Sequence, residues 1–326
     1  MAFRTFDGNR IYDARFIDSA GAFLQGELER LDATLHMPLA NVTWMRDVPL
    51  REDVTLGDDF SSFANLSFSS PGGINPTGKA WIGKTTNQIT GVDVDLAKVI
   101  TPLTPWAMEI AYTIMELESS LKVNRPVDNQ KYEGMRLKYQ MDMDEQAYVG
   151  DAGLGVYGLL NSPQVGATNV ANGTGGSPLW TSKTPQEILT DVNAVLNTAW
   201  QASGFTFVPS KLLLPPLKFS YINQAIVSTA GNRSIANYLS ENSLANSQNG
   251  RPLEIQPVKW LTGRGVGGTD RMVAYTQDQT RVRMPLTPLQ NTPVQYSGLH
   301  YRTYYYCKVG SLEITQTELM AYMDGI

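Results

Sequence analysis

The chain has 326 residues, with 26 lysines and arginines against 31 aspartates and glutamates and a net charge of −5. That length suffices for two domains or for one domain with large extensions, and the charge gives none of the basic excess that marks a nucleic-acid reader. Charged residues make up 17% of the chain, below the roughly 25% of ordinary globular proteins, so the surface is either neutral and polar or partly hidden in interfaces.

Residues 1–50 predict an arm rather than a compact domain. Phe16, Ala20, Phe23, Leu24, Leu28, Leu31 and Leu35 recur at helical spacing, and Pro38 and Pro49 bracket an extended stretch that carries Trp44 and Met45. A single helix on an arm cannot bury its apolar stripe by itself. It must dock on its own body or on a neighbour. Residues 51–91 read as a long hairpin. Phe60, Phe63, Leu66 and Phe68 lead into a turn-rich tip around Ile74, and Trp81, Ile82 and Ile89 lie on the return. A two-stranded hairpin is marginal in water and needs something to lie on. Phe23, Leu28, Leu31, Trp44, Ile74 and Trp81 are therefore the candidate residues of an assembly interface.

Val92, Val94 and Leu96 continue as a strand, with Asp93 and Asp95 on its other face. Met108, Ala111, Tyr112, Met115 and Leu121 predict a helix over 107–122. The next helix is the most strongly patterned segment. Asp128 can cap it, and Tyr132, Met135, Tyr139, Met143 and Ala147 share one face. Gly150 can end it in a left-handed conformation. A Gly-rich turn follows, with the run Gly158-Leu159-Leu160-Asn161.

Thr184-Pro185-Gln186-Glu187 is a strong helix start, and Ile188, Val192, Val195, Leu196 and Ala199 form the stripe behind it. A strand is expected from Phe205 to Leu214, helices over about 217–228 and 234–245, and strands over Leu253–Trp260 and Arg271–Tyr275. This alternation makes 181–279 an α/β unit. The tail from 280 is β-rich, with Thr303, Tyr305, Cys307 and Val309 on one face.

Sites with chemistry are scarce. Gly78–Thr85 matches a phosphate-binding loop in letters, but a Ser/Pro/Gly turn precedes it and a strand pattern follows, where such a loop needs a helix. Gly263–Gly268 imitates a dinucleotide fingerprint and also lacks a following helix. His36 and His300 are the only histidines, so no His/Cys metal cluster is expected. Cys307 is the only cysteine, reads as a core residue, and cannot form an intrachain disulfide. Asp142, Asp144 and Glu145 read as a solvated or interface face of their helix. Tyr301, Tyr304, Tyr305 and Tyr306 read as sheet packing. No leader pattern and no run near ~20 apolar residues appears, so a cytoplasmic context is expected.

The long helix with its Gly-Leu-Leu-Asn loop, and the order of arm, hairpin, helix, α/β unit and returning strands, resemble the major capsid protein of tailed bacteriophages. Encapsulins and the floor of herpesvirus capsids share that fold. The resemblance implies an α+β chain with an N-terminal arm (1–50), an extended hairpin loop (51–91), a peripheral domain containing the spine helix (92–165 and 280–326) and an axial domain (166–279). It implies self-assembly, in hexamers and pentamers, into an icosahedral shell around a genome. Portal, scaffolding and decoration proteins are the implied partners, and packaged DNA would be contacted non-specifically. Neither catalysis, a cofactor, a metal nor a membrane is implied. The location would be the virion capsid, assembled in the host cytoplasm. The alternatives are an encapsulin-like nanocompartment and, from another class, a nucleotide-binding enzyme using Gly78–Thr85.

Overall fold

The computed structural model describes residues 38–69, 84, 92–123, 127–227 and 233–326. The chain divides into two compact units, Met1–Asn41 and Val42–Ile326. The helix expected over Phe16–Leu35 and the hairpin tip around Ile74 lie outside the described residues, and every element named here belongs to the second unit.

That unit opens with a one-turn helix α1 (Trp44–Asp47) and a short strand β1 (Leu50–Arg51). Strand β2 (Phe60–Ser69) pairs antiparallel with β3 (Asp93–Thr113), which is 21 residues long. The N-terminal half of β3 pairs with β2. Its C-terminal half pairs with β11 (His300–Gly310) over the whole length of that strand. The helix expected over 107–122 is therefore strand as far as Thr113. Trp106, Met108, Ile110 and Tyr112 also satisfy a two-residue period, and for a short apolar run the partner strand decides between the two patterns. The helix itself, α2 (Ile114–Val123), starts where Thr113 and Glu116 exchange side-chain-to-backbone hydrogen bonds.

Spine helix α3 (Val127–Tyr148) buries Met135, Tyr139, Met143 and Ala147 on one face, as the spacing predicts. Tyr132, one turn earlier, is half exposed and packs on Tyr305. Strand β4 (Ala167–Asn169) follows, and then helix α4 (Pro185–Ala202), whose Thr184–Glu187 capping box is formed. Next come β5 (Lys211–Leu214), α5 (Pro216–Gln224), α6 (Ile235–Asn242), α7 (Leu244–Asn249), β6 (Glu254–Pro257) and β7 (Arg271–Tyr275). The strand expected from Phe205 begins only at Lys211, because Gly204 and Phe205 both turn through positive φ at the end of α4. The strand expected to reach Trp260 stops at Pro257, which offers no N–H to a ladder.

The tail supplies β8 (Val282–Pro285), β9 (Gln290–Asn291), β10 (Gln295–Ser297), β11, β12 (Glu313–Ile314) and β13 (Met320–Asp324). It does not return whole to the spine helix. Strand β13 joins the second sheet, in the order β4-β13-β7-β5-β6, so the last residues belong with the α/β unit and not with β11 or β12. The other sheets run β10-β11-β3-β2 and β1-β8-β12.

The α/β sheet separates two cores by simple alternation. Leu213, Val273, Tyr275, Met320 and Tyr322 face Tyr139, Met143 and Ala147 of the spine helix. Leu212, Leu214, Met272, Ala274, Ala321 and Met323 face Ile188, Val192, Val195 and Leu196 of α4. Strands β5, β7 and β13 are buried throughout, which is why they read as continuous apolar runs.

Candidate assembly surfaces

The end of the spine helix is built by the loop that follows it. The last carbonyls of a helix have no partner within it. Here Leu159 N–H donates to Ala147 O and Leu160 N–H to Tyr148 O, both at 3.0 Å, and the Asn161 side-chain amide donates to Val149 O at 2.7 Å. The Asn161 side-chain oxygen in turn accepts from Gly158 N–H at 2.8 Å. Leu159 and Leu160 are completely buried. Two glycines let the chain fold back this closely. Gly150 has φ +73°, and a Cβ at Gly158 would stand 2.3 Å from the Tyr148 carbonyl carbon. The Gly-Leu-Leu-Asn run is thus a helix stop. The same loop is fixed to the α/β sheet, since Tyr322 Oη donates to Leu159 O and Arg271 donates to Leu160 O while pairing with Asp324.

The segment Thr43–Asp47 is clamped by two buried carboxylates. Asp144 accepts from Thr43 N–H (2.8 Å), Trp44 N–H (3.1 Å) and the Trp260 indole (2.8 Å), and pairs with Lys259. It is fully buried, which corrects its reading as part of a solvated face. Asp47 pairs with buried Lys211 and accepts from Tyr148 Oη. Burial pushes the Tyr148 and Tyr275 hydroxyls far above their ordinary pKa, so both stay protonated and donate. Trp44 sits between these carboxylates with none of its surface exposed, and its indole donates to Gln140. It is a core anchor and cannot meet a neighbouring subunit, contrary to the interface role expected for it. Its spacing gave no hint of this, because the carboxylates that hold it lie about a hundred residues away.

The hairpin is a different kind of surface. Beyond Phe63 on β2 and before Thr101 on β3, every residue whose burial is described is exposed. The register pairs Phe60 with Pro102, Ser62 with Ile100, Ala64 with Lys98, Leu66 with Leu96 and Phe68 with Val94. Directly paired residues share a face, so Phe60, Leu66, Phe68, Val94, Leu96 and Ile100 lie on one face, in an apolar stripe interrupted by the Ala64–Lys98 pair. Each of them is at least half exposed. The opposite face carries Asn65, Ser67, Asp95 and Ala97, and near the root Phe63 and Val99 border a groove with Ile314 and Phe207. Of the interface residues expected from sequence, Phe23, Leu28, Leu31, Ile74 and Trp81 fall outside the described residues. The two-residue alternation of Leu66 and Phe68, and of Val94 and Leu96, was the readable signal for the stripe.

The remaining motifs meet ordinary ends. Of the phosphate-loop match only Lys84 is described, as an exposed turn residue. In the Gly263–Gly268 loop, Val266 N–H already donates to Asp324, and β7 follows directly. His300 is exposed and Cys307 is buried seven residues further along the same strand.

The comparisons with known proteins agree with this architecture. The chain has the fold of the capsid of Myoviridae phage XM1, with a TM-score of 0.74, 18% identity, and coverage of 94% of this chain and 99% of that one. The capsid of the native GTA particle matches with a TM-score of 0.60 at 12% identity, covering 94% and 98%. The SrpI encapsulin of Synechococcus elongatus matches with a TM-score of 0.52 at 13% identity, covering 91% and 92%. No curated protein sequence matches the chain. The family model described as major capsid protein matches residues 78–326, more than half of the sequence. The chain belongs to the major capsid protein family.

Proposed function

We propose that this capsid protein builds the icosahedral shell that encloses the genome of a tailed bacteriophage, assembling with copies of itself in hexamers and pentamers. The observation that carries the reading is the apolar set of Phe60, Leu66, Phe68, Val94, Leu96 and Ile100 on one face of the hairpin, each at least half exposed. Six large side chains of that kind on one face are an interaction surface, and a neighbouring subunit is the partner that a shell provides. The body behind the hairpin serves as the rigid part. Residues 103–165 with 280–314 form the peripheral domain, and 166–279 with 320–326 the axial domain. The protein is structural and not catalytic, and contacts with packaged DNA, portal, scaffolding or decoration proteins are secondary to its self-contacts.

Electron microscopy of the purified protein tests the reading. Closed shells are expected from the wild type, and none from Phe68→Asp, whose subunit should stay folded because the side chain is half exposed. Wild-type protein that remains monomeric at high concentration, or Phe68→Asp protein that makes normal shells, would overturn it. Particles filled with protein instead of nucleic acid would favour the encapsulin-like alternative, which the SrpI likeness keeps in view.

A further inference from the structure

The hairpin is held at its root by the continuation of β3 into its ladder with β11, by Lys308 Nζ on Asp58 O and Asp59 Oδ1, and by one buried carboxylate. Glu313, on β12, has no exposed surface. Its Oε1 lies 3.1 Å from Arg51 Nη1, its Oε2 lies 2.8 Å from Arg283 Nε, and Ser61 Oγ donates to Oε1. Arg51 also reaches the hairpin directly, donating to Ser61 Oγ at 3.0 Å and to Ser62 O at 3.2 Å, and it pairs with Asp53 on its outer side. The three-stranded sheet β1-β8-β12 delivers these groups together, with Glu313 directly opposite Arg283 in the ladder. Ser61 is the second residue of β2 and is buried. Past this point the hairpin has only one further side-chain bond to the body among the described residues, from Asn65 to Thr315 O.

We propose that Glu313, with Arg51 and Arg283, is a positioning device that fixes the direction in which the hairpin leaves the body, and that it thereby sets the curvature of the assembled shell. A buried ion cluster is a weak source of net stability, and its best use is to specify one geometry. The lever is long. Eight residues separate Ser61 from Ser69, which at about 3.4 Å per residue is about 27 Å, so a rotation of about 10° at the root moves the far end of β2 by about 5 Å. Apolar burial alone does not set such an angle, because it has no direction. Hydrogen bonds from the Arg51 guanidinium to Ser61 and Ser62, and from Ser61 to a Glu313 carboxylate that Arg283 holds in place, do. The step from hairpin angle to curvature rests on the assembly reading above, whereas the angle itself can be measured without assembly.

The test uses Glu313→Gln and Ser61→Ala in the full chain carrying Ser67→Cys and Gln201→Cys. Both labelled positions are exposed, and the native Cys307 is buried. Electron–electron distances between spin labels on unassembled subunits report the hairpin direction. A single narrow distribution is expected without the root substitutions, and a broadened or shifted one with either. Microscopy of unlabelled protein should then show open or size-heterogeneous particles from both variants. Unchanged distance distributions in the variants would overturn the proposal and leave the shell function standing. If the wild type makes no shell at all, the function fails while the distances still decide the anchor. Should Glu313→Gln not fold, Ser61→Ala decides alone, since it removes only the hairpin's side of the contact. Distances that change while particles stay uniform would refute the link to curvature.

Discussion

Replacing Gly158 by alanine isolates the stop of the spine helix. The added Cβ would lie 2.3 Å from the Tyr148 carbonyl carbon, 2.5 Å from its oxygen and 2.5 Å from Val149 N, all of them backbone atoms. Non-bonded carbons are comfortable near 3.5 Å, so one backbone must retreat by about 1 Å. Neither can do so alone. The helix end is packed through Ala147 and Tyr148, which have no exposed surface, and the loop through Leu159 and Leu160, which have none either. The retreat stretches the bonds from Leu159 N–H to Ala147 O and from Leu160 N–H to Tyr148 O beyond useful length. Leaving two buried carbonyls unpaired costs about 1–3 kcal/mol each, so a total of about 3–5 kcal/mol is expected. At about 2–4 °C per kcal/mol for a large domain, the melting temperature should fall by about 10 °C. Thermal unfolding of unassembled subunits measures this directly. Gly155→Ala is the control. Gly155 has positive φ, unlike Gly158, but nothing lies within 4 Å of the built Cβ, so only the backbone cost of about 1 kcal/mol applies. A Gly158→Ala subunit that melts within about 2 °C of the wild type would refute the steric argument, as would a Gly155→Ala variant that loses as much.

Two further outcomes follow from the chemistry of single groups. Glu187 accepts from the backbone N–H groups of Thr174 and Thr184, which hold its carboxyl down at about 2 against an ordinary 4.5. The contribution of the α4 cap is therefore complete above pH 4.5 and is lost as the pH falls through about 2. Melting temperatures of wild type and Glu187→Gln should differ most near neutral pH and converge towards pH 2, and a constant gap would contradict the assignment. Burial pushes the Cys307 thiol up to about 11, even though it sits beside the Tyr139 hydroxyl. At pH 8 the native protein should not react with a thiol reagent over hours, and one equivalent should react at once after unfolding. Rapid labelling of the folded chain would show that β11 opens locally.

The parts of this protein that depend on local chemistry were legible in its sequence. The face of the spine helix, the Thr184–Glu187 cap, the positive φ of Gly150 and the buried Cys307 each follow from spacing or from the conformational freedom of one residue. The first strand of the hairpin also follows, because alternation along β2 is visible without a partner, but its partner is Asp93–Pro102, beyond the 51–91 that the sequence assigns to the hairpin. What failed depended on distant residues. The stretch 107–113 became strand because β11, nearly two hundred residues later, offers it a full ladder. The sequence predicts an interface role for Trp44 and a solvated or interface face for Asp144, yet the Trp44 N–H donates to the Asp144 carboxylate across a hundred residues, and no local pattern records such a bond. The last strand joins the α/β sheet, where β7 and β4 pair with it on either side. Periodicity fixes which face of an element is apolar, but only the assembled fold decides which other face it meets.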